Sequence, residues 1–388
     1  MQRRTLLRAS GAGLVGLGLG ACSARPEAVP DLPLRPALRL PPVKASPDRV
    51  IRTTVGLRPH RPSGFVLRAA RLDNTTVIHN YGHGGAGLSL SWGCGLMATR
   101  MALSHGSRRA AVIGCGAVGL AAARQLQRHG FSVTIYAKAV PPDTTSNMAW
   151  AGFTPGSWVV EHTERTAAWD ARFREATEIS WREYQWLAGR GYGVSWIDRY
   201  SLTDVPPRPR MPRRPARGPE PLLPERLTPG RFVLGPGEHN FPTRFAVRRS
   251  GIRIEPAIYL DAVVADFLKF GGRIRIRRFT ERREITALPE SLVVNCTGLG
   301  AKELFGDEEL MPIKGQLTVL VPQPEIHYGT SISSPEAPPG VTGISMQPRE
   351  DGIILGTVGL HDDATLEPNE AARDHILAGL QALFEAMH

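Results

Sequence analysis

The strongest constraint on this chain is the stretch Ala110–Ala123, AAVIGCGAVGLAAA. A short apolar run meets Gly114-x-Gly116-x-x-Gly119 and continues into residues rich in Ala and Leu. That order predicts a strand, a glycine turn and a helix whose N-terminus faces whatever the turn holds. Gly114 serves the tight turn, Gly116 lets a pyrophosphate approach the backbone, and Gly119 lets the helix pack on the strand. Free N–H groups and the helix dipole favour an anion there. Gly114, Gly116, Ala117, Val118 and Gly119 therefore make a candidate dinucleotide site; the preceding strand and following helix distinguish it from a plain glycine turn. A second strand, Phe131–Tyr136, follows, but Ala137-Lys138 stands where a ribose-binding acid is expected about 20 residues on. Lys138 either touches adenosine or phosphate or is a solvated lysine.

The 388 residues suffice for one large or two ordinary domains. The net charge of +11 is local, carried by Arg3, Arg4 and Arg8 and by Pro206–Arg231, which holds seven arginines against two glutamates. Pro and Gly, rather than stacking aromatics, separate those cations, which argues against a nucleic-acid surface. We read the segment as a solvated arm, with an anionic membrane surface as the more natural partner.

Residues 1–21 read as an export signal. Paired Arg3-Arg4 precede the mildly apolar run Gly11–Gly20, too short to span a bilayer. Twin arginines before such a run mark the route that exports folded proteins. Leu19-Gly20-Ala21-Cys22 resembles a bacterial lipoprotein cleavage box, after which Cys22 carries lipid at the periplasmic membrane face; a plain signal with a coincidental cysteine is the alternative. Residues 22–48 are a Pro-rich tether. Cys94, Cys115 and Cys296 lie inside glycine-containing motifs and are odd in number, so no disulfide is expected. His79 and His83 have a metal-ligand spacing only on a helix, which Gly82 and the glycines after it disfavour, so no metal is expected. No G-x-S-x-G, Walker lysine motif or C-x-x-C occurs.

The folded part begins at Arg49. GLRPHRP at Gly56–Pro62 and VIHNYGHGGAGL at Val77–Leu88, followed by WGC, resemble the carboxy-terminal signature of D-amino-acid and D-aspartate oxidases. Other family features follow in family order. VIGCGAVGL resembles the amino-terminal fingerprint. Thr144-Thr145-Ser146 with Ala151-Gly152 resembles the threonine-rich segment beside the FAD phosphates and flavin. Val293–Gly298, VVNCTG, resembles the strand end whose Cys296, Thr297 and Gly298 meet the adenosine half. Lys314-Gly315-Gln316 resembles the start of the next strand. Phe279 is either an adenine contact or a core aromatic. Because the carboxy-terminal signature here precedes the fingerprint, the sequence resembles a circular permutant, opened at a helix-to-strand loop and rejoined near Ser104–Arg109.

The resemblance implies an α/β fold. A Rossmann-like FAD-binding domain (67–160 and 257–306) adjoins a mixed-sheet substrate domain (49–66, 161–256, 307–362), before a C-terminal helix within 363–388. It implies FAD as cofactor and hydride transfer from a D-amino acid, or related amine, to flavin. The products are a keto acid and ammonia, with dioxygen giving peroxide. A dehydrogenase feeding membrane quinone, or an inactive flavin-binding protein, stays open. Arg58 is the candidate carboxylate clamp, since a guanidinium matches a carboxylate bidentately; Arg61 competes for the role. Gly84, Gly85, Ala86, Gly87 and Leu88 are expected along the flavin pyrimidine edge, where a following helix favours anionic flavin. A loop carbonyl such as that of Gly85 is available to the substrate amine. No side-chain base is required. Two departures stand out: Ser345 or Met346 occupies the place of the family's carboxylate-binding tyrosine, with Tyr328 too early for it, and Thr154 stands where glutamine is expected.

Overall fold

The structure is a computed structural model that describes residues 36–388 except 151, 157, 208–221, 228–229, 335, 362 and 388. The export and lipid-box residues, Ala151 and most of the arginine-rich arm thus lie outside the described residues. In chain order the strands are β1 Val50–His60, β2 Val66–Leu72, β3 Thr75–Tyr81, β4 Arg109–Ile113, β5 Ser132–Ala137, β6 Val194–Thr203, β7 Arg231–Leu234 and β8 Phe245–Ile254. They continue as β9 Arg273–Ile276, β10 Leu292–Asn295, β11 Met311–Leu320, β12 Tyr328–Ile332, β13 Val341–Arg349, β14 Gly352–Val358 and β15 Leu360–His361. The helices are α1 Gly87–Ala102, α2 Ala117–Arg128, α3 Ala167–Leu187, α4 Pro256–Lys269, α5 Arg282–Thr286, α6 Gly300–Phe305 and α7 Glu370–Glu385.

Two sheets share the strands. The smaller runs β2-β3-β10-β4-β5-β9, parallel except for the β2–β3 hairpin. Ala110–Ile113 and Leu292–Asn295 are buried throughout, as strands covered on both faces require. Helices α1, α2 and α4 cover one face; Phe279, Ile285 and Leu288 pack on the other. The larger sheet runs β1-β11-β14-β13-β12-β6-β8-β7, with β15 also on β11, and is antiparallel except for β12 beside β6. Helix α7, capped by the Asn369 side chain on the Ala372 N–H, buries Ile376, Leu380 and Phe384 against β13 and β14.

Glycines set the helix spacing around α1. A Cβ at Gly93 would lie 2.0 Å from the Ala176 carbonyl oxygen on α3, and one at Gly95 would lie 3.0 Å from the α2 backbone. Helix α3 therefore docks on α1 through Trp169, Phe173, Ala176, Ser180 and Tyr184. Its aromatic face is core beside α1, although the segment 161–256 was expected in the substrate domain. The strand expected to begin at Lys314 begins at Met311. Among the described residues no helix is long and apolar enough to cross a membrane.

Candidate active site

Strand β4 delivers the chain to Gly114 at φ +113°, a conformation closed to ordinary side chains. A Cβ there would also strike the Cys296 carbonyl oxygen at 2.4 Å, because β10 ends alongside. Gly119, one turn into α2, sits so close that its Cβ would lie 2.0 Å from the Gly114 carbonyl. The helix N-terminus is thus held against the strand end. The Ala117 N–H at that terminus donates to Ser146 Oγ at 3.0 Å, and a Cβ on Gly116 would be 3.0 Å from the same oxygen. Thr144 Oγ1 donates to Asn147 Oδ1, fixing the turn that brings Thr145 and Ser146 over α2.

The second glycine loop comes from the other side. Gly84 packs on the Trp158 carbonyl, with no room for a Cβ, and Gly87 faces Val118 across 3.5 Å from its notional Cβ. Both loops therefore open on one space. Helix α1 starts at Gly87, and its N-terminus brings about half a positive charge to the loop.

That space is a cavity of about 720 Å³. Of the expected residues, Arg58, Gly85, Gly87, Leu88, Val118, Thr145, Ser146, Gly152, Cys296 and Gly298 line it. Gly84, Ala86, Gly114, Gly116, Ala117 and Gly119 shape the two loops behind the wall. Thr144 supports its turn, and Thr297 donates to Asn295 Oδ1 at the end of β10. Lys138 and Phe279 are not brought to the cavity. Lys138 is exposed after β5, and Phe279 is buried edge-to-face with Tyr136.

Arg58 lies in β1 opposite Ile313 of β11. Its side chain runs between two glycines: a Cβ at Gly85 would meet its Cδ at 2.7 Å, and one at Gly315 its Cζ at 2.7 Å. Its donors reach only the carbonyls of Lys314 and Val358, at 3.3–3.4 Å, and no carboxylate pairs with it among the described residues. Burial pushes its pKa down. Arg61, by contrast, is bound to Asp307 at 2.8 Å, to Glu309 and to Ser63. Tyr328 is buried in the core, its hydroxyl donating to Pro41, while Ser345 and Met346 do line the cavity. Thr154 lines it too.

The cavity wall also contains Asn80, which no expectation named, and His83, which was weighed only as a metal ligand. Asn80 is fully buried, its amide meeting no polar partner beyond the Cys296 thiol, and the Nε2 of buried His83 is orphaned. Both lie in the VIHNYGHGG motif, which marked the segment without giving either a part in the cavity. His83, stacked on Phe65, is pushed down to about 3 by burial. His79, bonded to Asn295 on the sheet, is pushed down to about 4, by burial first and then by Arg68. Arg199 of β6 reaches the cavity as well. The one signal for it was parity, since it shares a strand face with buried Ile197. Cys94, Cys115 and Cys296 are free thiols raised by burial, Cys115 to about 12.

Residues 109–387 match the family model described as FAD dependent oxidoreductase. The chain belongs to that family. A D-amino-acid oxidase of Rubrobacter xylanophilus is 31% identical over 71% of this oxidoreductase and 77% of the relative. A D-amino-acid oxidase of Dictyostelium discoideum is 26% identical over 69% and 70%, and a human D-aspartate oxidase 25% over 72% and 77%. The family-matched span leaves out β1, β2, β3 and α1, which supply Arg58 and the Gly84–Leu88 loop. The oxidoreductase's cofactor is FAD, and the cavity suits it: a pyrophosphate-type turn at one end, a glycine loop before a helix at the other. Buried Asn80 and His83, the latter with an unpartnered Nε2, also line it.

Proposed function

We propose that this enzyme oxidatively deaminates D-amino acids to keto acid and ammonia, with dioxygen as electron acceptor and hydrogen peroxide as product. One observation carries the reading: Arg58 sits in the wall of the FAD cavity, buried and without a carboxylate of its own. Taking a guanidinium out of water costs several kcal/mol, which a substrate carboxylate bound bidentately offsets. With the carboxylate on Arg58, the Gly85 carbonyl is the nearby acceptor for the substrate amine. The α1 N-terminus favours negative charge along the loop. FAD, when bound, supplies the two-electron acceptor for the hydride leaving the substrate α-carbon. This chain's residues orient the α-carbon and exclude water; Met148, Trp150, Phe153 and Trp158 make that wall apolar. The test is anaerobic bleaching of the yellow holoenzyme by a panel of D- and L-amino acids, followed by peroxide assay in air. Bleaching by no amino acid removes the reading, and dye reduction without peroxide replaces oxygen by another acceptor.

Two further readings belong to the same proposal. The chain is the family fold circularly permuted; support comes from β1 pairing with β11 along its length and β3 lying beside β10, although both precede the family-matched span. The protein is exported and lipid-anchored at Cys22, supported by Arg3-Arg4 and the Leu19–Cys22 pattern. Radiolabelled palmitate should enter the wild type and not Cys22→Ala, and labelling of neither removes the anchor.

A further inference from the structure

We propose that Arg199 is a second carboxylate-binding group of the cavity, so that preferred substrates are D-amino acids whose side chains end in an acid. The proposal rests on the oxidase reading above. Arg199 lies on β6, between β12 and β8 in the larger sheet. Its head enters the cavity wall because Gly152 and Gly251 leave room: a Cβ on either would come within 3.0 Å and 2.7 Å of its terminal nitrogens.

Its bonds are to neutral groups. Nε donates to Gln347 Oε1 at 2.7 Å, and one terminal nitrogen reaches the Ile252 carbonyl at 3.5 Å. Three arginines nearby have carboxylates: Arg253 has Glu255 at 3.1 Å, Arg349 has Asp351 at 2.7 Å and Arg248 has Asp198 at 3.8 Å. Arg199 has none among the described residues. A guanidinium carries five N–H donors, and two neutral acceptors leave most of that capacity unmet. Beside it on β12, Thr330 lines the same wall and is buried, its hydroxyl unpartnered. Ser331 and Ser345 continue the polar patch.

The cavity therefore has one unpaired guanidinium at the glycine loop, Arg58, and another on the larger sheet. A neutral side chain would leave the second desolvated and unpaired, whereas an acid group would pair with it. A site built for a polar group discriminates strongly against a ligand that lacks it. A purely structural Arg199, stitching β6 to β13 through Gln347, would show no such preference.

The test compares kcat/KM of the FAD-loaded enzyme for D-aspartate and D-glutamate with that for D-asparagine and D-glutamine, in wild type, Arg199→Gln and Arg199→Lys. We expect wild type to favour the acids by about 10- to 100-fold, the range of one charge-assisted hydrogen-bond pair. That ratio should collapse towards one in R199Q and be partly restored in R199K. A wild type that favours the amides, or an R199Q that lowers acid and amide alike, overturns the proposal. Calorimetry of succinate against butyrate supplies a readout without turnover: wild type should bind succinate more tightly, and R199Q should level the two. If no D-amino acid bleaches the flavin, the oxidase reading fails. The succinate measurement then still decides Arg199, and equal binding of the two acids by wild type counts against it.

Discussion

A buried arginine without a carboxylate is an unfinished interaction, and Arg58 and Arg199 are both of that kind. Arg58→Ala should raise KM for D-amino acids by on the order of 100-fold while FAD stays bound; Arg58→Lys should recover only part, because an ammonium lacks the planar fork. Unchanged KM in a stopped-flow titration would take Arg58 out of substrate binding. The two buried histidines act on stability instead. Both folded pKa values, about 4 for His79 and about 3 for His83, lie below the ordinary 6.5, so at pH 7 both states are neutral. As pH falls below 6.5 the unfolded chain takes up protons that the folded chain refuses, so stability declines on acidification. From pH 7 to 5 the loss should be about 2 kcal/mol per histidine. It is measurable as a drop in urea midpoint that shrinks in His79→Gln. Residue by residue, a local motif could point into the cavity wall: GLRP marked Arg58, which lines it. Arg199 had no such marker among 47 Lys and Arg residues, because its role depends on strand register and on glycines far along the chain.

At the scale of elements, the two glycine loops and the helices after them were readable from period and spacing, since their physics is local. How they meet was not. The Gly87–Val118 approach and the docking of α3 on α1 depend on small residues opposite each other in different segments. The nucleotide turn offers the sharpest test. Gly119→Ala puts a methyl 2.0 Å from the Gly114 carbonyl and must push α2 off the strand end. The expected outcome is FAD loss on gel filtration and about 2 kcal/mol or more of destabilisation, as overpacking at backbone commonly costs. Retention of full flavin content would show that α2 has slack at this contact. At Lys138 and Phe279 the blander alternatives describe the structure: Lys138 is exposed after β5, and Phe279 packs in the core against Tyr136.

For the molecule as a whole, a rotated order of segments makes a concrete prediction. A chain beginning at residue 104, running to 387 and then continuing through a short linker into 49–103 should fold and bind FAD with the same visible spectrum. Failure of that chain to bind FAD would count against permutation. The new opening falls in the exposed turn between α1 and β4, where cutting disturbs little. The path of the chain between the sheets carries a last consequence. It passes from the larger sheet to the smaller after β1, returns before β6, leaves after β8 and returns again before β11. Only residues 61–65 join β1 to β2, and β8 runs almost directly into α4. Two of the four crossings are this short, and they tie the sheets closely at those points. Leu223, two residues past the undescribed part of the arginine-rich arm, belongs to the cavity wall and so ties the far end of that arm to the space the reactants occupy.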